Sequence, residues 1–364
     1  MKPSLLSVGV ATPDGVLSRE QAVALSDKVA PVHASRPLLE RLHERSGVAT
    51  RHGVIFGESG QQTLYSPPSD LKQQGPSTRE RMALYEQHAP VLAELAARQA
   101  LQDASITAGG ITHLVTASCT GFCAPGVDAE LIARLGLSPD VRRTHIGFMG
   151  CHAAINALSV AAAFASDPAA RVLVVCVELC TLHMHYGDRT DQLVANALFA
   201  DGAAAAVVTQ TRDAQSPQIA GTSSRVFRDA DGAPLADRMR WEITNHGFAM
   251  TLGKDVPDLL AAVVPAWSDE VLVAHELTRA DVARWIIHPG GPRIVQALSD
   301  ALHLAEPIRL RAVEAARTVL HDYGNMSSAT VLFMLRALLQ ADSSRPVVTM
   351  AFGPGLAGEL MVLR

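Results

Sequence analysis

Short apolar, strand-like runs alternate with helical patterns along most of the chain. Residues 171–180 (RVLVVCVELC) form a near-continuous apolar run, which is typical of a strand that is covered on both faces. Residues 80–104 are rich in Ala and Leu at helical spacing. A second helical segment, 127–135, ends at Gly136, a residue suited to a helix C-cap. The remaining predicted elements are strands at 111–117, 144–148, 203–209, 284–287, 346–352 and 359–363 and helices at 152–165, 293–302, 309–321 and 329–340.

A polar, Gly- and Asp-rich stretch after about Thr211 separates two parts with the same alternating pattern. Beyond it we expect a helix from Val256 that Pro265 ends or kinks. Strand–turn–helix units in both parts predict an α/β protein whose sheets are buried between helices. We therefore expect an N-terminal half of residues 1–211 and a C-terminal half of residues 212–364.

Composition narrows the class of protein. The 364 residues, 48% of them hydrophobic and 18% charged, suffice for a large core and exclude intrinsic disorder. A formal net charge of -5 gives no basic footprint for nucleic acid or an anionic membrane. Every apolar run is interrupted, so we expect no membrane span and no signal peptide. The five cysteines are too few for a disulfide framework, which predicts reduced thiols and a cytoplasmic location.

Cys151 is the first candidate for chemistry, in the motif GFMGCHAA. A predicted strand runs into Gly150, which permits a sharp bend, and a helix is expected to begin at the cysteine. The free N–H groups and dipole of a helix N-terminus favour a thiolate, so we expect a pKa well below that of a free thiol. A buried, inert cysteine is the alternative, because most cysteines in proteins are of that kind.

His288 and Asn325 are two further candidates, each in a turn. His288 follows an apolar strand in IIHPGGP, and Asn325 precedes a helix in DYGNMSS, where Ser327 and Ser328 are the expected N-caps. Either residue alone would be an ordinary turn residue. A Cys with a His forms an activated nucleophile, and a His with an Asn provides two hydrogen-bond donors for a developing oxyanion.

These motifs together resemble those of the type III polyketide synthases, the chalcone-synthase-like enzymes. The resemblance rests on GFMGCHAA, IIHPGGP, DYGNMSSATVLF and AFGPGLAGE, and it extends through SCTGFCAPGVD, VLVVCVELCTLH, NALFADGAAA and GKDVPDLL. It therefore covers nearly the whole chain. The sequences of these motifs are most similar to those of bacterial members that make alkylpyrones or alkylresorcinols.

The resemblance implies a thiolase fold, in which two similar halves stack in five layers, αβαβα, and a homodimer. It implies that Cys151 accepts the acyl group of an acyl-CoA starter, while His288 and Asn325 assist the decarboxylation of malonyl-CoA. Decarboxylative Claisen condensation and cyclisation would follow, giving an alkylpyrone or alkylresorcinol. Coenzyme A thioesters are then the substrates, and neither a permanently bound cofactor nor a metal is expected.

The resemblance also implies a set of substrate-binding residues. Phe199 matches one of two Phe gatekeepers of the family, and Met250 stands where the other Phe is found. Ala124 matches a position, often Met, that the dimer partner contributes to each cavity. The other cavity positions correspond to Cys119, Cys180, His183, Trp241 and Ser327. Small groups at several of these positions, with a bulky Trp241, predict a narrow apolar tunnel for a linear acyl chain.

Two arginines match cationic positions that hold the phosphates of coenzyme A in the family. They are Arg41 and Arg45, while a third position, commonly Lys, is Leu38 in this sequence. The substrates implied are therefore CoA thioesters, with no nucleic acid as a partner.

Several alternatives remain open at this stage. A ketoacyl-acyl-carrier-protein synthase III-like enzyme would use the same three residue types, and a chalcone-synthase-like enzyme would use aromatic or short starters. An idle thiolase-fold subunit is disfavoured by the intact Cys, His and Asn. A metal-binding protein would need ligands such as Cys180 with His183, or Cys119 with Cys123, but neither pair has structural zinc spacing.

Charged residues outside these motifs are assigned plain structural roles. Glu178 lies inside an apolar strand and needs a partner, for which a salt bridge is the expectation. Asp27, Asp191 and Asp201 are expected to be solvated or to cap helices. Residues 58–77 are expected to form an exposed loop.

Overall fold

The computed structural model describes residues 2–30, 35–57, 60–62, 64–70, 72–187, 189–211, 213, 215–229, 231–341 and 344–364. The strands in these residues are β1 (Pro3–Ala11), β2 (Val16–Ser18), β3 (Thr50–His52), β4 (His113–Ser118), β5 (Arg142–Gly147), β6 (Arg171–Leu179), β7 (Asp201–Gln210), β8 (Ile219–Val226), β9 (Met239–Thr244), β10 (Gly247–Leu252), β11 (Arg284–Ile287), β12 (Val347–Gly353) and β13 (Ala357–Leu363). The helices are α1 (Arg19–Val29), α2 (Arg36–Ser46), α3 (Thr78–Asp103), α4 (Val127–Leu135), α5 (Ala153–Phe164), α6 (Thr190–Leu198), α7 (Val256–Ala274), α8 (Pro292–Ala301), α9 (Glu306–Tyr323) and α10 (Ser328–Ala341).

Two mixed sheets form the centre of the molecule. The first has five strands in the order β1-β7-β6-β4-β5, with β4 parallel to both of its neighbours. The second has four strands in the order β11-β12-β13-β8, with β11 parallel to β12. The first sheet comes entirely from the N-terminal part of the chain and the second entirely from the C-terminal part.

Helices cover both faces of each sheet. The pair α5 and α10 packs between the sheets, and its small residues share one apolar core with strands of both. On the outer face of the first sheet, α3 and α4 enclose a second core. On the outer face of the second sheet, α7, α8 and α9 pack against one another and the strands. The order of layers is αβαβα, which confirms the predicted thiolase fold.

The strongest apolar pattern gave a correct strand. In β6, eight of the nine residues are buried, because α3 covers one face and α5 and α10 cover the other. The end of α4 is also as predicted, since Gly136 takes a left-handed conformation with φ 70°. Small side chains on β7 allow the helices to approach the sheet closely.

Pro265 does not end the helix that begins at Val256. It lies inside α7, which runs on to Ala274, and Trp267 and Leu272 beyond the proline are fully buried and hold the helix in place. After the polar stretch at Thr211 come β8 and then the hairpin β9–β10, which belongs to neither core sheet. The hairpin was missed because its two strands have six residues each and follow a Gly- and Asp-rich stretch.

The sequence predicts no membrane span, and a helical span needs sufficient length and apolar character. Among the residues described, no helix is both long enough and apolar enough to cross a bilayer.

Gly150 provides a test of the bend before Cys151. Its φ is 75°, and a Cβ there would lie 2.4 Å from Cδ of Pro354. Gly136 has φ 70° but open space around it. We predict that Gly136→Ala costs about 1–2 kcal/mol of unfolding free energy from backbone strain alone. Gly150→Ala should cost about 1–3 kcal/mol more, because the methyl group also collides with the proline ring.

Urea denaturation of both variants measures the difference in unfolding free energy. Equal losses for the two glycines would show that the approach of Pro354 is not a constraint on the bend.

Candidate active site

Cys151 lies in a single helical turn, Gly150–His152, between β5 and α5. The α-helix thus begins at Ala153, two residues later than the sequence predicts. Cys151 is 8% exposed and lines a small apolar cavity with about 20 Å³ of free space for the centre of a water molecule. The other lining residues are Cys119, Thr120, Gly150, Cys180, Phe199, Met239, Trp241, Met250, Ser327, Gly353 and Pro354.

A single hydroxyl connects two of the cavity thiols. Oγ of Ser327 donates a hydrogen bond to Sγ of Cys151 at 3.6 Å and lies 3.1 Å from Sγ of Cys119. Ser327 has φ 47°, an unusual conformation for a residue with a side chain, and directly precedes α10. The turn between α9 and α10 therefore presents this hydroxyl to the nucleophile candidate.

Asn325 is held at the contact between the two halves. Its N–H donates to the carbonyl of Leu198 at 3.0 Å, and its carbonyl accepts from Ala200 N–H at 2.9 Å. Its side-chain Oδ1 accepts from the N–H of Ser327 at 2.8 Å. Because a backbone N–H can only donate, this bond fixes the orientation of the amide. Nδ2 is left as a buried donor without a hydrogen-bond partner among the residues described.

His288 follows β11 and has 1% of its surface exposed. Its N–H donates to the carbonyl of Met350 at 2.9 Å, which sets it beside the end of β12. The continuation of that strand, Gly353 and Pro354, lines the cavity of Cys151. Within the described part of the chain, neither ring nitrogen of His288 has a hydrogen-bond partner. Such buried, unpartnered groups cost folding free energy, about 1–3 kcal/mol each, and are typical of sites that bind polar ligands.

The pKa expected for Cys151 is wrong for this structure. Burial raises the pKa of the Cys151 thiol to about 11, although the hydrogen bond from Ser327 and the nearby amide of Asn325 act to lower it. Burial likewise lowers the pKa of His288 to about 3. Burial raises the pKa of Cys151 by more than the helix N-terminus can lower it. In the resting site, Cys151 is therefore a thiol and His288 a neutral imidazole. A neutral imidazole is the form that can accept the thiol proton.

Glu178 has no cationic partner in the part of the chain described, so the expected salt bridge is wrong. The carboxylate is fully buried and accepts from Thr120 Oγ1 at 2.7 Å, from Cys119 N–H at 3.0 Å and from Ser328 Oγ at 2.5 Å. Burial raises the pKa of Glu178, while these hydrogen bonds act to lower it. The carboxylate thus connects the loop after β4 to the start of α10, directly behind the cavity.

Asp201 was expected to be solvated or capping, and it is fully buried. Its carboxylate accepts from the N–H and hydroxyl of Thr181 at 2.7 and 2.6 Å and from the N–H of Val54 at 2.9 Å. Burial raises the pKa of Asp201 to about 7. By contrast, Asp27 and Asp191 are partly exposed and pair with arginines.

Four residues separate the Cys151 cavity from a neighbouring small cavity against α1. Cys180, Phe199, Trp241 and Met250 line both cavities. Trp241 and Met250 are a cross-strand pair in the hairpin β9–β10. Leu198 and Leu252, beside these gate positions in sequence, line a third and larger groove at the surface.

Two expected cavity residues lie elsewhere. His183 is behind Trp241 and lines the second cavity, not that of Cys151. Ala124 is exposed on the loop between β4 and α4 and lines no cavity of its own chain among those described. The other six expected positions line the Cys151 cavity.

The surface groove has about 1010 Å³ of open space and contains three cations. Arg45 lines it as the sequence suggests, whereas Arg41, one helical turn earlier on α2, is exposed outside the lining. Lys254 and Arg293 also line it, and sequence reasoning missed both. The sequence contained a signal for both residues, because Lys254 lies in the motif GKDVPDLL and Arg293 directly follows the motif HPGGP. The first residues of α7 and α8 line the same groove.

Metal binding finds no geometric support in the residues described. No three His, Cys, Asp or Glu side chains there are grouped so as to hold a metal ion. His183 and His185, from the soft-ligand motif, instead bond to backbone groups.

Comparison with known proteins decides the family. The model of the N-terminal domain of chalcone and stilbene synthases matches residues 2–211, and that of their C-terminal domain matches residues 234–364. The chain belongs to the chalcone and stilbene synthase family. It is a type III polyketide synthase and an acyltransferase.

Similar proteins agree with this assignment. The chain is 31% identical to the alpha-pyrone synthesis polyketide synthase-like Pks18 of Mycobacterium tuberculosis, over 98% of this chain and 89% of that protein. It is 32% identical to a 1,3,6,8-tetrahydroxynaphthalene synthase of Streptomyces peucetius, over 91% of this chain and 84% of that protein. The crystal structure of PKS-I from the brown alga Ectocarpus siliculosus has a TM-score of 0.89 at 30% identity, covering 100% of this chain and 98% of that chain.

The Ser327 hydroxyl gives a pH test of this polyketide synthase site. A hydrogen bond donated to sulfur stabilises the thiolate, so it lowers the pKa of Cys151. We predict that Ser327→Ala raises this pKa and slows alkylation of Cys151 by iodoacetamide at any fixed pH below it. Ser328→Ala is the matched control, because Ser328 donates to Glu178 and not to the sulfur of Cys151. An alkylation profile that is unchanged in Ser327→Ala, or shifted equally in both variants, contradicts the assignment.

Proposed function

We propose that Cys151, His288 and Asn325 carry the condensation chemistry of this enzyme. The observation that carries the proposal is that the buried donor of Asn325 and both ring nitrogens of His288 lack partners among the described residues, while Ser327 in the same turn as Asn325 hydrogen-bonds to Cys151. His288 takes the proton of Cys151 as sulfur attacks the thioester of an acyl-CoA. Coenzyme A leaves as the thiol, and the acyl group stays on Cys151.

The same donors serve the second substrate. His288 and Asn325 donate hydrogen bonds to the thioester oxygen of malonyl-CoA, where negative charge collects as carbon dioxide leaves. The resulting enolate carbon attacks the acyl carbonyl and displaces the sulfur of Cys151. The lengthened chain returns to Cys151 for another extension or cyclises. No cofactor takes part in these steps.

Coenzyme A is proposed to bind in the surface groove. Arg45, Lys254 and Arg293 bring three cations to it, and the N-termini of α7 and α8 present free N–H groups there. Phosphate groups suit both features. Arg41 is close enough in sequence to reach the outermost phosphate from the same helix, and the pantetheine arm would extend past Leu198 and Leu252 towards Phe199.

We propose linear acyl starters and an alkylpyrone or alkylresorcinol product. Cys180, Phe199, Trp241 and Met250 lie between the cavity of Cys151 and the cavity against α1, so a thin apolar chain that moves these side chains aside would extend from one cavity into the other. Burying a chain in such a path is worth about 0.8 kcal/mol per methylene. Trp241 occupies the volume that a broad aromatic starter would need.

A short starter is the second candidate. The Cys151 cavity is small, with about 20 Å³ of free space for the centre of a water molecule, and Trp241 stands against His183 at its back. If Trp241 does not move, only a short acyl group fits beside Cys151. The relatives include both an alpha-pyrone synthase-like protein and tetrahydroxynaphthalene synthases.

We also propose that the enzyme works as a homodimer in the cytoplasm. Ala124 lies on an exposed loop beside Phe122, which is 53% exposed, and Met149 is 39% exposed. This apolar surface adjoins β5, the edge strand of the first sheet. In a dimer it would be covered, and Ala124 would reach the cavity of the partner. A reducing compartment would preserve the free thiols of the cavity.

The division of labour between the three residues gives one prediction. Cys151→Ala should abolish acyl loading but leave malonyl-CoA decarboxylation, because His288 and Asn325 remain. Asn325→Ala should raise the barrier to decarboxylation by about 2.7–4 kcal/mol, the usual loss for one oxyanion donor. Release of carbon dioxide from labelled malonyl-CoA measures both. An unchanged rate in Asn325→Ala would leave that residue as a turn residue only.

Starter preference tests the proposed product. With malonyl-CoA and a panel from acetyl-CoA to long fatty acyl-CoA and p-coumaroyl-CoA, we predict higher kcat/KM for medium and long linear starters, with two or three extensions. Cys119→Phe should shorten the accepted chain and spare short starters, whereas Cys119→Ser keeps the size and should keep the profile. Mass spectrometry identifies the products. A preference for aromatic or short starters contradicts the linear-chain proposal.

A further inference from the structure

The hairpin β9–β10 sets the boundary between the two cavities. It lies outside both core sheets, and its cross-strand pair Trp241 and Met250 lines each cavity. A shift of the hairpin of even 1 Å would change the width of the path between the cavities. The groups that fix the hairpin next to this pair therefore also fix the shape of the path.

Two histidines hold the hairpin through one residue, Phe248. The N–H of Phe248 donates to Nδ1 of His183 at 3.0 Å, and its carbonyl accepts from Nε2 of His185 at 2.8 Å. Both histidines come from the segment after β6, in the other half of the molecule. Phe248 lies two residues before Met250 on β10. The histidines therefore hold this strand close to the Trp241–Met250 pair, which is called the gate below.

The partner atoms determine the tautomers of the two rings. A backbone N–H can only donate, so Nδ1 of His183 carries no proton, and its Nε2–H donates to the carbonyl of Thr120 at 2.7 Å. A carbonyl can only accept, so the proton of His185 is on Nε2. Each ring therefore needs to be neutral in one defined form, and both rings are buried enough to lower their pKa values.

The same assembly reaches the wall of the Cys151 cavity. Nε1–H of Trp241 donates to the carbonyl of Cys119 at 2.7 Å, next to the Thr120 carbonyl that His183 holds. The His183 ring stacks on Phe248 at 4.2 Å and meets the Trp241 ring edge-on at 5.7 Å. One imidazole thus orders both strands of the hairpin against one loop.

The segment that carries the histidines is itself fixed. Arg81 donates to the carbonyls of Leu182 and Met184, at 2.6 and 2.9 Å, on either side of His183. Asn196 exchanges two hydrogen bonds with the backbone of His185, at 3.0 and 2.8 Å. The histidines are consequently a rigid support and not a mobile part of the cavity.

We propose that His183 and His185 are positioning residues that select the length of the acyl chain, by holding Phe248 and through it the Trp241–Met250 gate. This inference rests on the proposed function of the cavity as the acyl-chain site. It gives His183 a role through the backbone of the hairpin, in place of the direct substrate contact that the sequence suggests.

Matched variants separate this role from general stability. His183→Phe keeps the ring and its stacking but removes both hydrogen bonds, and His185→Leu removes the other half of the grip. His183→Gln retains one acceptor and one donor, so it is the rescue variant. Thr78→Val is the control, because Thr78 holds the far tip of the hairpin through Gly247 N–H at 2.8 Å and does not touch Phe248.

The measurement is kcat/KM across starters from acetyl-CoA to palmitoyl-CoA, with malonyl-CoA decarboxylation and the melting temperature recorded for each variant. We expect the ratio of kcat/KM between decanoyl-CoA and acetyl-CoA to change at least tenfold in His183→Phe and His185→Leu, and by more than the decarboxylation rate changes. His183→Gln should recover most of the ratio, and Thr78→Val should keep the wild-type profile.

The results that would contradict the role of the two histidines differ from those that would contradict the proposed product. A starter profile identical to wild type in His183→Phe and His185→Leu overturns the inference. So does a uniform loss of all starters together with decarboxylation, or an equal effect of Thr78→Val. If His183→Phe does not fold, His185→Leu and His183→Gln decide. A wild-type enzyme that prefers short or aromatic starters refutes the linear-chain proposal, while the change of profile between variants still tests the histidines.

Discussion

Two backbone hydrogen bonds between the halves of the molecule fix the site more than any other interaction. Asn325, in the turn before α10, exchanges them with Leu198 and Ala200, which flank the gate residue Phe199. The same pairing thus places an amide donor of one half beside the gate of the other. It needs small neighbours, because a Cβ on Gly324 would lie 2.8 Å from Cβ of Ala200.

Around this junction, the side chains of Asn325 and His288 keep buried polar atoms that have no partner among the described residues. Oδ1 of Asn325 is paired while Nδ2 is not, and His288 keeps both ring nitrogens unpaired. Glu178 and Asp201 show the opposite treatment, since several hydroxyl and N–H donors surround each buried carboxylate. The carboxylates of Glu178 and Asp201 therefore stabilise the fold, whereas Asn325 and His288 are available to a ligand. A buried donor without a partner costs folding free energy unless a ligand accepts its hydrogen bond.

The sequence predicted the layers and much of the site because these depend on strong, local signals. The apolar run of β6 and the Gly136 helix end need no tertiary information. The motifs around Cys151, His288 and Asn325 each mark a turn at a strand or helix end. By contrast, the course of α7 through Pro265 and the buried state of Asp201 depend on packing against distant residues, which periodicity does not reveal.

The electrostatics of the site were equally out of reach of the sequence. A helix N-terminus suggested a thiolate at Cys151, but full enclosure by apolar walls raises its pKa instead. The hairpin β9–β10 escaped detection because its two strands have six residues each and follow a Gly- and Asp-rich stretch. The position of His183 behind Trp241 depends on this hairpin and was missed with it. Cation placement in the surface groove likewise required the spatial meeting of α2, α7 and α8.

Three cysteines, Cys119, Cys151 and Cys180, line one cavity, and Cys151 accepts a hydrogen bond from Ser327 there. The most direct test of its role is peptide mass spectrometry after incubation with an acyl-CoA and no malonyl-CoA. The acyl adduct should be found on the peptide that contains Cys151, and it should be absent from the peptides that contain the other two. An adduct on Cys119 or Cys180 in the wild-type enzyme, with Cys151 unmodified, would contradict the assignment.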